Sequence, residues 1–426
     1  MAIPVVFLLL PALVLLPPLF FLLNSILSHR HRPVAPGPIG DPREVTIVIP
    51  VYREPLRVFE ACFASARAQG SPVVVVGDGE EEPYRRRVLD GGVGWLRTEG
   101  HRGKKAALAV GLTAVTTPWV LFLDSDTTLP PGGVAALRAR FTEGVGGVGA
   151  NLTVRDTGHP VARGAEFVER SREVVLRAMS SRGAVMYLDG ACVMYRTEAI
   201  RSYVASAEFQ HLSVLGRSSR LGDDWLLTDH LLRSGYTTVK SYETHATTTP
   251  PSDWSGFVSQ SVRWSRSGWI RLGRTLRGGL PEGLGRFYAF ELMISYSLPL
   301  FALASGLGRL RELGRIAGAV PAHLGPFLVS LTGLGGLTAS GPYFLRALLS
   351  VAAIAAEAIF AWTAVRRLAH RRLSTLAWGG VATAILLAAS LYGLVTFWRA
   401  PAWRGAPTGV SGGTGSGRGL RPASGP

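Results

Sequence analysis

Trp119-Val-Leu-Phe-Leu-Asp124-Ser-Asp126-Thr-Thr-Leu-Pro-Pro131 joins an apolar run, long enough for one buried strand, to two carboxylates and a Pro-Pro stop. That order places both acids where a parallel strand opens into a crevice, the position at which open α/β sheets bind ligands. Side chains two apart on a strand share a face and stand about 6.6 Å apart at about 3.3 Å rise per residue. Magnesium or manganese takes oxygens at about 2.1 Å, usually from one or two carboxylates plus substrate phosphates. The spacing therefore suits Asp126 as one metal ligand and Asp124 as an acceptor for a sugar hydroxyl, and it suggests a nucleotide diphosphate as substrate. An isolated Asp-x-Asp is also an ordinary turn after a strand, so the neighbouring sequence decides.

Upstream, Val45-Thr-Ile-Val-Ile-Pro-Val-Tyr52 reads as a strand, followed by an amphipathic stretch to about Gln69. A second strand, Pro72-Val-Val-Val-Val-Gly, ends in Asp78-Gly79, and a weaker one lies near Val93 to Arg97. Helical sequence from Gly103 to about Thr116 leads back to the Trp119 strand. Strands alternating with helices predict a parallel, doubly wound α/β sheet. Its strand ends carry Tyr52 and Glu54, then Asp78, then Asp124 and Asp126. Two of the chain's three lysines, Lys104 and Lys105, fall at a helix start, where backbone N–H groups favour phosphate.

Downstream, Tyr187-Leu-Asp-Gly190-Ala-Cys192-Val-Met-Tyr195-Arg196 reads as a further strand whose small residues permit close approach. Gly222-Asp223-Asp224 heads an apolar helix. The acidic pair can cap that helix, and it can also supply a general base within reach of an attacking hydroxyl. Gln260, Arg263 and Trp264 share one helical face at i, i+3 and i+4. Arg271, Arg274 and Arg277 recur beside Trp269, Ile270 and Leu272, the composition of a helix lying at a membrane interface.

Of the 426 residues, 47% are apolar, which excludes general disorder. Lys+Arg number 45 against 29 Asp+Glu, a net +16 that is almost all arginine. Long apolar runs beside those arginines point to anionic headgroups, and no nucleic-acid module is present. Two cysteines, Cys62 and Cys192, indicate neither a disulfide framework nor a cysteine zinc site, and they fit a reducing cytoplasm. Residues 3–28 carry no charge and precede His29-Arg-His-Arg32, the pattern of a membrane anchor ending in the cytoplasm, kinked at Pro17-Pro18. Phe287 to Leu307, Pro342 to Val365 and Thr375 to Phe397 are long enough to span, with Glu291 and Glu357 inside two of them. Gly325 to Leu337 reads as re-entrant. The expected organisation is an anchor (1–28), a linker (29–43), a cytoplasmic catalytic domain (44–250), interfacial helices (251–285), a membrane region of three or four segments (286–398) and a disordered tail (399–426).

Asp78-Gly79, Gly103-Lys104, Asp124-Ser125-Asp126, Gly222-Asp223-Asp224 and Gln260-x-x-Arg263-Trp264, in this order between apolar segments, resemble the processive family 2 glycosyltransferases. That family includes the cellulose, chitin and hyaluronan synthases. The resemblance covers residues 44 to 270 well and the membrane part only in layout. The motif details are similar to hyaluronan synthases, and the layout of spans to rhizobial chitin-oligosaccharide synthases. It implies a GT-A-type domain, a Rossmann-like mixed sheet, inserted between transmembrane helices of the cell membrane.

The resemblance also implies roles. Asp78 would accept from uracil and Asp124 from ribose, with Tyr52 and Glu54 beside them. Asp126 would hold Mg²⁺ or Mn²⁺, and Lys104 would lie along the donor. Asp224, next to Asp223, would be the base. Arg263 would steady the departing UDP, while Gln260 and Trp264 line the acceptor side. The expected partners are a UDP-sugar, a growing polysaccharide and the lipid bilayer. The leading expectation is a hyaluronan-type product from UDP-N-acetylglucosamine and UDP-glucuronate. A chitin-type polymer from UDP-N-acetylglucosamine alone, a non-processive transfer to a lipid and an inactive scaffold are the alternatives.

Overall fold

The computed structural model describes residues 5–33, 37–38, 40–302, 341–368 and 371–399. The Trp119 stretch forms β4 (Trp119–Leu123) in the middle of an eight-stranded sheet. On one side run β1 (Val45–Val51), β2 (Val73–Gly77) and β3 (Gly94–Arg97), all parallel, with Ile47 opposite both Leu121 and Val73. On the other side lie β7 (Cys192–Arg196), β6 (Val145–Val154), β10 (Thr237–Thr248) and the short β5 (Thr127–Thr128).

Every residue of β1 is buried, because helices cover both faces of the sheet, and this is why its sequence is continuously apolar. Ile47, Ile49 and Val51 join one core with Phe59 and Phe63 of α2 (Leu56–Arg67), Tyr84 of α3 (Tyr84–Asp90) and Leu137 of α5 (Gly133–Arg138). Val48 turns to the other core, with Leu108 and Leu112 of α4 (Lys104–Thr113), Ile200 of α7 (Thr197–Ala205) and Leu227 of α9 (Asp223–Arg233). A four-residue helix, α8 (Ala207–Gln210), and a hairpin of β8 (Leu212–Val214) and β9 (Arg217–Ser219) adjoin this second face.

The alternation of strands and helices predicts parallel strands throughout, whereas β7 runs antiparallel to both β4 and β6. β6 and β4 point the same way and leave a gap one strand wide, which β7 fills from the opposite end after the long helix α6 (Pro160–Ser180). Apolar periodicity specifies a strand and says nothing about its direction. The strand expected from Tyr187 begins only at Cys192, and the preceding residues 187–189 stay irregular. The glycines that obscure β6 in the sequence make room for side chains: a Cβ on Gly147 would lie 2.9 Å from Leu231.

Helix α6 links this domain to α1 (Val5–Arg30), α10 (Trp254–Gly278), α12 (Gly341–Val365) and α13 (Arg372–Leu394), and α1 in turn meets α11 (helical over the described residues 286–302). Val161 and Val168 of α6 pack with Phe257 of α10 and Ala382 of α13, and Val174 packs with Phe360 and Ala364 of α12. Its polar side carries buried ion pairs: Arg170 with Glu166 at 3.0 Å and with Glu173, and Glu173 with Arg177 at 2.6 Å and Arg367 at 3.1 Å. Arg371 reaches Asp156 at 2.6 Å. Much of the arginine excess is therefore internal. Arg271, on the helix whose composition suggests a membrane interface, is buried, donates to the Met186 carbonyl and lies 3.3 Å from the Tyr288 and Tyr296 hydroxyls. Arg274 pairs with Glu208 at 2.7 Å.

Among the described residues one helix, Arg372–Leu394, is long and apolar enough to cross a membrane by length and composition, and Val351–Val365 is a shorter apolar stretch. Glu291 has a partner: Asn24 Nδ2 donates to its Oε1 at 2.9 Å and ties α1 to α11. The Pro17-Pro18 site lies within a continuous helical assignment. The expected re-entrant segment Gly325 to Leu337, the end of the Phe287 to Leu307 segment and the tail after Arg404 lie outside the described residues.

Helix α4 sits close on the sheet because Gly111 lacks a side chain: a Cβ there would fall 2.4 Å from Val48 Cγ1 and 3.1 Å from Val76 Cγ2. Gly111→Ala is expected to destabilise the domain by about 1–3 kcal/mol through overpacking, seen as a lower unfolding temperature by intrinsic fluorescence. An unchanged temperature would contradict this close approach.

Candidate active site

The C-terminal ends of β1, β2 and β4 and the first turns of α4 and α9 converge at one edge of the sheet. Lys104, the first residue of α4, places Nζ 2.6 Å from Asp124 Oδ1, 2.9 Å from Asp223 Oδ2 and 3.1 Å from the Gly190 carbonyl oxygen. One ammonium thus joins the end of β4, the start of α9 and the irregular segment before β7.

Backbone geometry makes that junction. Gly222 precedes the acidic pair at φ 85°, and a Cβ there would lie 2.2 Å from Trp225 Nε1, so glycine alone fits. The turn delivers Asp223 and Asp224 at the first turn of α9, where the helix dipole favours carboxylates. Trp225 Nε1 donates to Ser267 Oγ at 3.0 Å and fixes α9 against α10. A Cβ on Gly190 would stand 3.2 Å from Asp224 Cβ and 3.3 Å from Asp223 Oδ2, so the chain at 190 forms the wall beside both acids.

The acids differ in their ease of ionisation. Burial, with Asp126 adding to it against the pull of Lys104, moves Asp124 up to about 6. Burial also raises Asp126, against hydrogen bonds from Thr127 at 2.9 Å and Thr248 at 3.5 Å. Asp223 lies below the usual range because Lys104 outweighs its burial, whereas burial and the neighbouring Asp223 charge lift Asp224 to about 6. Two adjacent carboxylates with opposite shifts are the pattern of one charge partner and one proton acceptor. Burial and Asp126 push Glu54 up to about 8, and its Oε2 accepts from Ser125 Oγ at 3.2 Å.

The other residues singled out in the sequence take distinct places. Asp78, fully buried, accepts from Thr98 Oγ1, Arg102 N and Gly103 N at 2.8 Å each, with His101 Nδ1 also 2.8 Å away. Here Asp78 holds the loop that leads to Lys104. Tyr52 stacks on His101 with ring centroids 4.0 Å apart. On α10, Arg263 faces the acids: burial lowers its guanidinium from the ordinary value, opposed by Asp223, Asp124 and Asp126. Trp264 is 37% exposed, and Gln260 is half-buried one turn earlier on the same helix. Cys62 and Cys192 are free and buried.

Sequence reading missed the residues behind the site wall. Asp189, beside Gly190, is buried between Lys240 and Arg172, which hold its carboxyl below the usual range despite that burial. A charge within the apolar run from Tyr187 to Tyr195, and the chain's third lysine within a strand, were the available signals. Arg172 lies on α6, for which no motif stood out.

Among the described residues no group of three or more His, Cys, Asp or Glu is placed to hold a metal. The acids present still fit a divalent ion that takes only one protein carboxylate: the charge of Asp126 raises the proton affinity of both Glu54 and Asp124, a repulsion that a cation relieves. Glu54 tests this crowding. With its folded value raised to about 8 from 4.5, the folded protein retains the proton longer than the unfolded chain, so stability falls as pH rises through that interval. In metal-free buffer, Glu54→Gln is expected to lose less unfolding temperature than the wild type as pH rises from 6 to 8, the remaining loss coming from Asp124 and Asp224. Parallel curves would contradict the crowding.

The model of the family "Glycosyltransferase like family 2" matches residues 42–267, more than half of the chain. An N-acetylglucosaminyltransferase of Sinorhizobium fredii is 30% identical over 293 residues, 65% of this chain and 70% of that protein. An N-acetylglucosaminyltransferase of Azorhizobium caulinodans is 27% identical, over 58% of this chain and 65% of its own. Hyaluronan synthase 3 of Mus musculus is 24% identical, over 58% of this chain and 54% of its own. The chain therefore spans about two thirds of the length of its rhizobial relatives. Among solved structures, the mannosyltransferase PcManGT from Pyrobaculum calidifontis in complex with GDP-Man and Mn²⁺ superposes with a TM-score of 0.54 at 19% identity, covering 83% of this chain and 97% of that one, a likeness of fold. With the family match falling on the sheet, the Lys104 junction and the start of α10, this chain belongs to glycosyltransferase family 2.

Proposed function

We propose that the chain is a membrane-bound, inverting β-glycosyltransferase that extends a chain of N-acetylglucosamine from UDP-N-acetylglucosamine. The observation that carries this reading is the Lys104 junction, which ties the strand-end acids suited to a nucleotide sugar to the acidic pair suited to deprotonating an acceptor. Asp224 takes the proton from the acceptor hydroxyl. The resulting oxygen attacks the anomeric carbon of the donor, the bond to UDP breaks on the opposite side, and the α-linked donor becomes a β-linkage. Arg263 faces the departing diphosphate, and Trp264 offers a flat apolar face to the acceptor sugar. Asp124 is proposed to meet the nucleoside, with Tyr52 and Glu54 lining the same edge, Gln260 the acceptor side, and Asp78 acting from behind by holding the loop before Lys104. Asp126 would hold Mg²⁺ or Mn²⁺ with the donor phosphates, an ion that neutralises charge on the leaving diphosphate.

Two observations favour a single sugar over the hyaluronan-type copolymer. Relatives named N-acetylglucosaminyltransferase reach 30% identity, against 24% for the hyaluronan synthase. The basic side chains behind the site wall, Arg172 and Lys240, are already paired with Glu169 and Asp189, which leaves them occupied when a glucuronate carboxylate arrives. Exposed apolar side chains on α12 and α13, among them Ile354, Trp362 and Leu373, support a lipid surrounding. The arginines after α1 and α12 support a cytoplasmic catalytic domain in the cell membrane.

The test is UDP release by the protein in nanodiscs with Mg²⁺ or Mn²⁺, given UDP-N-acetylglucosamine, UDP-glucuronate or both. Turnover with the first alone, giving a chitinase-sensitive product, is expected. Turnover only with both donors would establish the copolymer instead, and silence with every donor would sink the reading. Asp224→Asn is expected to lower kcat by about 100-fold or more, and wild-type activity to fall below about pH 6 as Asp224 gains its proton. A flat profile down to pH 5 would contradict Asp224 as the base.

A further inference from the structure

Arg172 stands between the two halves of the proposed reaction, on a helix that carries none of the motif residues. Its Nε donates to the Tyr187 hydroxyl at 3.0 Å, its Nη1 to Glu169 Oε1 at 2.7 Å, and its Nη2 to Asp189 Oδ1. With every nitrogen of the planar group engaged, the guanidinium has one orientation. Its Cζ lies 5.3 Å from the centre of the Trp264 ring and 5.1 Å from that of Tyr187. Asp189 is in turn held by Lys240 of β10, and its neighbour Gly190 lines the acidic pair so closely that a Cβ there would stand 3.2 Å from Asp224 Cβ and 3.3 Å from Asp223 Oδ2. The charge of Arg172 also acts on Asp224 from this side.

We propose that Arg172 is a positioning residue for the acceptor: it braces Trp264 by a cation–π contact and locks that ring to the Asp189–Gly190 wall that borders the acidic pair. Trp264 remains 37% exposed, so sugar can meet the ring while Arg172 fixes its plane. An arginine over an aromatic face contributes about 0.5–2 kcal/mol, most when desolvated. A freely rotating tryptophan would seat the sugar in several registers, only one of which aims a hydroxyl at Asp224. Tyr187 and Asp189 work through Arg172, and neither is required to touch substrate. The inference rests on Trp264 being the acceptor platform, as proposed above.

Two variants separate bracing from general stability. Arg172→Met keeps an unbranched apolar stem and removes the guanidinium with all of its donors. Tyr187→Phe removes one hydrogen bond and leaves no charge unpaired. Both are assayed in nanodiscs for UDP release, first with UDP-N-acetylglucosamine varied and then with a short N-acetylglucosamine oligosaccharide varied at saturating donor. Arg172→Met is expected to raise the KM for the oligosaccharide about tenfold and Tyr187→Phe about threefold, with the KM for the donor and its acceptor-independent hydrolysis unchanged. Trp264→Ala, run beside them, should raise the oligosaccharide KM at least as far. If Trp264→Ala leaves that KM unchanged, the platform reading fails and this inference with it. If Trp264→Ala raises it while the other two do not, or if they raise donor and acceptor KM together, the bracing role alone is overturned. Should Arg172→Met not accumulate as folded protein, Tyr187→Phe decides.

Discussion

The contact between Lys104 and the carboxylates of Asp124 and Asp223 is the constraint on which the rest of the site depends. Each carboxylate ends a separate element, and burial disfavours the charge of all three groups. Such a cluster persists only when the geometry is good and the remaining hydrogen bonds are met. The surrounding structure is arranged accordingly. Asp78 ties down the loop before Lys104, Gly111 lets α4 lie close on the sheet, Gly222 turns the chain into α9, and Gly190 leaves room beside both acids. Asp223, held ionised by Lys104, raises its neighbour Asp224 toward neutrality, which gives two adjacent carboxylates different properties.

A second constraint is the interior of α6. Its apolar side meets α10, α12 and α13, while its polar side holds buried arginine–glutamate pairs that extend from Asp189 near the cleft to Arg367 after α12. Removing one member of such a pair leaves an uncompensated charge, so the network fixes relative positions even where it adds little net stability. Through it, the helices that are proposed to meet lipid are held in a defined place relative to the domain that carries the chemistry.

The local elements were legible because their signals are local. β1, β2 and β4 announce themselves by unbroken apolar runs, α4 and α9 by glycine turns followed by charged first turns, and the acids by their place at strand ends. The mixed sheet was legible only through the family resemblance, since the alternation of strands and helices carries no direction and β7 enters a gap whose width and direction come from the whole topology. β6 escaped notice because its glycines look like loop residues until Leu231 and Tyr236 are seen packed on them. The arginines misled in one respect. Composition suggested an interfacial helix around Arg271, yet Met186, Tyr288 and Tyr296 take this arginine inside. Asp189, Arg172 and Lys240 meet only through folding, and no spacing relates residues on α6, before β7 and on β10.

In the proposed reaction Lys104 and Asp223 act as one unit joining the donor and acceptor halves of the site. A double-mutant cycle of Lys104→Met, Asp223→Asn and both together, read as kcat/KM for UDP release, tests it most directly. Strong non-additivity is expected, with the double variant little worse than the poorer single one. Losses that multiply independently would contradict it.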